Sequence, residues 1–321
     1  MYLEEYIAGS YEKNKDYKSF LPTKINRQWE WRTPEVNILL EKASMELGSL
    51  KSYSELLPNI DIYIKMHIKM EANKSNRIEG TQTSIEEELM PITELSPEKR
   101  NDAREVHNYI NALQLSVDRI MKDDFPLSSR LIKEIHYELM KGVRGENKTP
   151  GEYRTSQNWI GGSLPSNAVY VPPTHVHVQE LISDMEKFIH NDEIYIPLLV
   201  RIAMIHYQFE SIHPFYDGNG RVSRLYLDYL LFHSNIQGYG LWNISRGLAR
   251  NQEDYRKFLA KADEQFNGYN DGRGPLTLKG LEAFLEFMLD IALDQVLFMS
   301  QYLKLDSMST KIKAFVELSQ K

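Results

Sequence analysis

The twelve residues from His213 to Arg224, H-P-F-Y-D-G-N-G-R-V-S-R, hold a base, an acid, a glycine-rich turn and two arginines in one short stretch. An imidazole titrates close enough to neutrality to take a proton, which makes His213 the candidate general base. Asp217 offers a hard carboxylate oxygen of the kind a Mg²⁺ ion takes when it keeps waters and phosphate oxygens as its other ligands. Gly218 and Gly220 flank Asn219, and removing Cβ atoms there lets backbone N–H groups approach phosphate oxygens. The apolar periodicity that follows would put a helix N-terminus at the same point, a natural anion site. Arg221 and Arg224 add planar donor forks matched to phosphate. Together these residue types describe phosphate chemistry.

Two other readings of the same stretch fail on detail. Asp217, Asn219 and Arg221 begin like a calcium loop, but Val222 stands where the turn needs Gly and Asp228 stands where the loop ends in Glu. The glycines also miss the dinucleotide fingerprint, because Ser223 replaces its last Gly and the preceding segment has helical, not strand, periodicity.

All the constrained positions, His213, Phe215, Asp217, Gly218, Asn219, Gly220, Arg221 and Arg224, match the signature of the Fic family, which the chain therefore resembles. The resemblance implies an all-α, mainly helical Fic fold with a small β-hairpin flap. It also implies a nucleotidyltransferase that moves AMP from ATP to a Ser, Thr or Tyr hydroxyl of a target protein, and of itself, with Mg²⁺ as cofactor and pyrophosphate as leaving group. In that frame His213 takes the hydroxyl proton, Asp217 holds the metal and Asn219 reaches the transferred phosphoryl group. Gly218 to Gly220 cradle phosphate, and Arg221 and Arg224 bind the β- and γ-phosphates. Tyr255, on a helix beginning near Asn251, is the expected adenine-stacking residue. Fic-like kinases carry Lys where Gly220 stands, so the intact G-N-G-R disfavours phosphoryl transfer.

Two further elements fit the same resemblance. Ser75 and Glu79, in S-N-R-I-E-G, lie one helical turn apart and share a face. They are similar to the family's inhibitory helix, whose glutamate pairs with the last arginine of the signature, so Glu79 is expected to hold Arg224 and autoinhibit. From Tyr153 to Pro173, two β-prone runs flank the turn-rich segment after Ile160. This is similar to the target-docking flap, with Trp159, Ile160, Gly161 and Gly162 at its working edge, where strand addition reads register more than sequence.

Three function classes follow. AMP transfer comes first. An AMP-removing enzyme or a transferase with another nucleotide donor on the same scaffold comes second. A non-catalytic binding regulator comes third, although a pure adaptor has no need of His213, Asp217 and Arg224 together.

The elements that must position these residues read as helical nearly throughout. The 321 residues leave room for a large core. Thr33-Pro34 opens a helix that Gly48 is expected to close, and Ser96-Pro97 opens another reaching about Met121. A periodic segment runs from near Asp61 to the inhibitory motif. Further helices are predicted over 128–141, 175–190, 195–212, 221–234, 251–268 and 276–305. Ser84 and Glu87 fit a capping box. Only the flap reads as β. The expected division is an N-terminal helical region over 1–110, a catalytic core over 111–270 and a C-terminal helical extension over 271–321. A winged helix that often follows in related proteins is expected to be missing. Among the other histidines, His206 reads as a hydrogen-bonded core residue in place of a metal ligand, and His175 and His177 as capping or surface groups. His107, His136, His190 and His233 carry no assigned chemistry.

Global composition narrows the field. No cysteine is present, which excludes disulfides, thiol catalysis and thiolate metal sites. The N-terminus lacks a signal-peptide core and no run approaches the ~20 apolar residues of a membrane span, so a cytoplasmic protein without a membrane partner is expected. A net charge of −7 argues against nucleic acid as partner. The partners are then ATP and a docked target protein, with homo-oligomerisation open.

Overall fold

The computed structural model describes residues 7–29, 34–55, 60–84, 87, 90–123, 125–234, 241–263 and 278–303. In chain order these form a hairpin, β1 (Gly9–Lys13) and β2 (Lys18–Pro22), and then helices α1 (Pro34–Glu55), α2 (Ile60–Ile78), α3 (Pro97–Asp123) and α4 (Ser129–Met140). Helices α5 (His175–His190), α6 (Leu198–Ile212), α7 (Asn219–His233), α8 (Ile244–Arg250), α9 (Gln252–Asp263) and α10 (Leu278–Leu303) follow.

The two central helices, α6 and α7, are buried nearly all round, and their faces carry Phe209, Ile212, Val222, Leu225 and Leu227 into the core. They pack on one another, with α5 against α6 and α3 and α4 against α7. Helix α2 lies against α3, α7 and α8, while α1 runs along α10 on the outside. The buried residues form one connected cluster from Ala8 to Leu303, so α2 shares the core of α6 and α7.

Several local expectations meet the structure closely. Helix α4 is capped by Ser128, whose hydroxyl accepts from Leu131 N at 3.4 Å. Ser84 and Glu87 exchange side-chain to backbone bonds at 3.0 and 3.2 Å, the reciprocal capping box; the rest of that short helix lies outside the described residues. The predicted end of the 251–268 helix and everything after 303 also lie outside them.

Three expectations are corrected. Helix α1 runs through Gly48 to Glu55, because buried Ala43, Leu47 and Leu50 tie it down against α10 and outweigh the ~1 kcal/mol that a helical glycine costs. Helix α8 was missed; Asn243 caps it, accepting from Arg246 N at 3.1 Å. The flap is not the sole β element. Strands β1 and β2 pair antiparallel with Tyr11 opposite Phe20, and Phe20 N reaches Val171 O at 2.8 Å, joining the hairpin to the returning leg of the flap. Gly9 permits this, since a Cβ there would sit 2.3 Å from Leu21 O.

Candidate active site

Helix α6 stops at His213, whose N–H still bonds Phe209 O at 3.0 Å while its backbone turns left-handed, φ 48° and ψ 61°. Pro214 follows and cannot continue the helix. A left-handed non-glycine residue costs roughly 1–2 kcal/mol, so other contacts must hold it there. The loop from Pro214 to Gly218 is fixed by Phe215, which is fully buried and stacks on His136 at 3.8 Å between centroids. Gly218, at φ 76°, turns the chain into α7. The amides of Asn219, Gly220 and Arg221 precede the first bond within α7, Val222 N to Gly218 O at 3.0 Å, which is the arrangement that can serve as an anion cradle.

Asn219 departs from its expected role. Its Oδ1 accepts from Phe215 N and its Nδ2 donates to Phe215 O, both at 2.8 Å, so the amide clasps the loop instead of pointing at a ligand. Arg221 departs too: it is buried, and its Nη1 pairs with Glu105 Oε2 at 3.0 Å. Burial pushes the Glu105 carboxyl up, against the pull of Arg221 and Arg144.

Arg224, one turn further along α7, is almost wholly buried and points to the end of α2. Its Nε donates to Ser75 Oγ at 2.7 Å, and its Nη2 donates to Ser75 O at 3.0 Å and to Glu79 Oε1 at 2.7 Å. The expected pairing of Glu79 with Arg224 is therefore present in the geometry. A Cβ at Gly220 would lie 2.4 Å from Glu79 Oε1, so the carboxylate rests on the cradle itself. Burial alone would raise the Glu79 carboxyl; the charge and hydrogen bond of Arg224 outweigh it, with Arg221 adding, and hold the group below its ordinary value. Gly80, at φ 100°, ends the segment, and Gln252 Nε2 caps it by donating to Ile78 O at 2.8 Å.

The imidazole of His213 is pushed down to about 4, first by burial and then by the nearby Arg154 cation. At neutral pH it is uncharged and able to accept a proton. Its Nδ1 has no hydrogen-bond partner among the described residues, and Glu210 Oε2 lies 4.0 Å away. Glu210 is pushed up to about 7 by burial, opposed by a short hydrogen bond from the Ser223 hydroxyl.

Asp217 is partly exposed, with Lys148 Nζ at 3.9 Å and Arg221 Nη2 at 4.0 Å. Among the described residues no three metal-ligating side chains converge. A single half-exposed carboxylate beside an anion cradle fits Mg²⁺ that arrives with substrate phosphates, and does not fit a closed protein cage. On the loop's inner side, Gly151 N donates to His136 Nδ1 at 2.8 Å, so Nε2 carries the proton and donates to Asp217 O at 3.1 Å. Burial lowers that imidazole to about 4.

Tyr255 is not a free stacking platform. It is 4% exposed, and its hydroxyl meets His206 Nε2 at 2.8 Å in the core, which also answers the expectation for His206. The flap forms a narrower hairpin than its β-prone runs suggest: one antiparallel bridge joins Ile160 and Tyr170, with bonds at 2.8 and 3.2 Å. Gly161 and Gly162 turn it at positive φ, and Asn167 Oδ1 closes the tip by accepting from Ser163 N and Leu164 N. Trp159 and Ile160 are 37% and 40% exposed, a partly apolar edge facing solvent.

The Fic/DOC family profile matches residues 126–231, which take in the flap and the whole His213–Arg224 stretch, and the family's N-terminal profile matches residues 38–118, which take in Ser75 and Glu79. The chain belongs to the Fic/DOC family. It is 32% identical over 193 residues to an Aquifex aeolicus protein bearing the name "probable protein adenylyltransferase", a match covering 58% of this chain and 55% of that protein. It is 34% identical over 127 residues, 39% of this chain and 22% of the relative, to the protein adenylyltransferase Fic of Aedes aegypti. The matches thus span about half of one relative and about a fifth of the other. The fold is shared with a Fic family protein of Desulfovibrio desulfuricans, at a TM-score of 0.65 and 22% identity over 89% of this chain and 77% of that one.

Within this Fic site the sequence reading missed Glu105, His136, Arg154 and Glu210. Glu105 and His136 carry no local motif; they meet the signature only through the packing of α3 and α4 against α7. Arg154 lies inside the flap segment already singled out and Glu210 just before the signature; the signal for Arg154 was a charge at a position about to be buried.

Proposed function

We propose that the chain is a protein adenylyltransferase that moves AMP from ATP to a Ser, Thr or Tyr hydroxyl of a target protein held at the flap, and of itself, and that Glu79 inhibits it. The observation that carries this reading is an uncharged, partly buried base, His213, at the rim of a helix N-terminal anion cradle whose arginine, Arg224, is held by a removable carboxylate. The target hydroxyl oxygen attacks the α-phosphorus, its proton passes to His213 Nε2, and the bond to the β-phosphate oxygen breaks to release pyrophosphate. The α7 amides face the negative charge that gathers on the phosphate. Asp217 would hold Mg²⁺, which when bound offsets phosphate charge. Arg224, freed of Glu79, would take the γ-phosphate. Asn219 and Arg221 serve by fixing the loop and the first turn of α7.

An extended target segment would add to the Trp159–Gly162 edge, which accords with the exposure of that edge. No helix among the described residues is long and apolar enough to cross a membrane. We keep a cytoplasmic home and self-association as part of the proposal. The test is to incubate wild type, Glu79→Gly and Glu79→Gly/His213→Ala proteins with ATP and Mg²⁺ and to read added AMP by intact-protein mass spectrometry. An adduct confined to Glu79→Gly supports transferase and inhibitor together. Equal adduct with and without Glu79 overturns the inhibition. AMP lost from a pre-modified protein, with none gained, moves the function to AMP removal.

A further inference from the structure

Arg154 is 2% exposed, and every acceptor of its guanidinium is a backbone carbonyl. Nε donates to His213 O at 2.9 Å, Nη1 to Ser156 O at 3.2 Å, and Nη2 to Ile212 O at 3.3 Å and to Pro173 O. Its own N–H bonds Pro214 O at 2.9 Å. No carboxylate pairs with it among the described residues. Burial pulls the guanidinium down to about 10, which still leaves it charged at neutral pH. A buried cation without a counter-ion is expensive unless something else compensates it. Here the compensation is the carbonyl end of α6, where the helix dipole is negative.

The four carbonyls belong to two different structures. Ile212 is the last residue of α6 and His213, which caps it, is the base. Ser156 and Pro173 are the outgoing and returning legs of the flap. Neighbouring bonds repeat the connection: Asn158 Nδ2 donates to His213 O at 3.2 Å and to Phe215 O at 2.8 Å, and the Tyr170 hydroxyl donates to Ser211 O at 2.7 Å. Arg154 is the member of this set that reaches both flap legs and the base.

We infer that Arg154 is a positioning residue of the transfer reaction, one side chain that fixes the flap, where the target backbone docks, relative to the left-handed His213 that takes its proton. The inference rests on the adenylyltransferase reading for its kinetic consequence, and on geometry alone for its structural one. Transfer requires the hydroxyl, held through the flap, and Nε2, held through α6, to meet within a few tenths of an ångström, and a misplacement of about 1 Å can cost on the order of 100-fold in rate. The charge has a second effect, since it stands beside the imidazole and favours its uncharged form. A neutral side chain could cap α6 but could not do this, and a lysine could carry the charge but not span four carbonyls.

The test compares Arg154→Lys and Arg154→Gln, each in the Glu79→Gly protein, against that parent. Three quantities are read: hydrogen exchange of residues 156–173 without nucleotide, the titration of His213 by imidazole NMR, and kcat and KM for ATP in AMP transfer. Arg154→Lys is expected to speed flap exchange at least 10-fold and to lower kcat on the order of 100-fold, with KM for ATP within about twofold and the imidazole still titrating low. Arg154→Gln is expected to add an upward shift of the imidazole. A flap unchanged in exchange, a kcat within threefold of the parent, or a loss confined to KM would overturn the inference, the last by making Arg154 a nucleotide ligand. If Arg154→Lys does not fold, a role in the reaction is overturned in favour of a purely structural one. Should the Glu79→Gly parent transfer nothing, the functional reading falls by itself, while exchange and titration still decide whether Arg154 couples flap to base.

Discussion

Two arginines, Arg154 and Arg224, are buried to nearly the same degree on either side of His213, and they are held in opposite ways. Arg154 meets only backbone carbonyls, which no side-chain movement can withdraw. Arg224 meets a serine near the end of α2 and the glutamate just beyond it. A backbone partner makes a permanent joint, and a side-chain partner on a neighbouring helix makes one that can be exchanged for a ligand. On the proposals above, the flap and base act as a joined unit and the phosphate end of the site as a switch. The electrostatics agree: Arg154 depresses the imidazole beside it, whereas Glu79 and Arg224 stabilise each other's charged forms although Arg224 is buried.

The most severe way to break this arrangement is to remove the group that both arginines serve. His213→Ala in the Glu79→Gly protein should lower AMP transfer by about 10³-fold or more, the usual range for losing a general base, while nucleotide binding measured by calorimetry stays within a few fold. Retained transfer would show that the proton leaves by another route. Next in size is the switch itself. Glu79→Gly should raise transfer on the order of 100-fold over wild type, because the charge-assisted bond to Arg224 is worth ~1.5–3 kcal/mol and the carboxylate also blocks the cradle. Rates that differ by less than threefold would mean that Glu79 yields to ATP without help.

Most of this architecture was legible in the sequence, and the boundary of legibility has a physical form. Periodicity and punctuation set α5 and α7 to within about two residues, and the signature gave His213 and Asp217 their neighbourhood. The spacing of Ser75 and Glu79 gave the contact with Arg224, because one helix face and one long arginine suffice to define it. Misreadings came where a residue's type left two uses open. Asn219 can bind a phosphate or clasp a loop, and the nearness of Phe215's backbone decides for the loop. Arg221 faces inward because Glu105, 116 residues earlier, waits there. Tyr255 is drawn into the core by His206. The β1–β2 hairpin escaped because its support is tertiary, through Val171 and the contact of Phe20 with Tyr170.

The rigid half of the comparison should also be visible in stability. His136, His206 and His213 are all pushed well below the ordinary imidazole value by burial, to about 4, 3 and 4. An unfolded chain would bind protons at these groups at a pH where the folded one does not, so protonation favours unfolding. Stability should be intact above about pH 6.5 and fall as pH drops through the window from about 6.5 to 3, by roughly 3–5 kcal/mol per histidine before coupling between them. Urea titrations at pH 7.5, 5.5 and 4.5 would show it. His206→Phe, which keeps a ring in the core, should shallow the slope, and an unchanged slope would assign acid sensitivity to carboxylates instead. The kcat/KM of the Glu79→Gly protein should likewise keep its acid limb well below 6.5.

The smallest effect gives the finest test of the switch. Ser75→Ala removes the acceptor of Arg224 Nε but leaves the Ser75 carbonyl and the Glu79 carboxylate in place. Losing one charge-assisted bond of three, with the guanidinium still paired, should weaken the closed state by about 1 kcal/mol and raise wild-type transfer about fivefold. The same substitution in the Glu79→Gly protein should do little, because the clamp is already open. Multiplicative gains in the double variant would mean that Ser75 restrains Arg224 independently of Glu79. A gain that disappears there would mean that Ser75 and Glu79 act as one latch on one arginine.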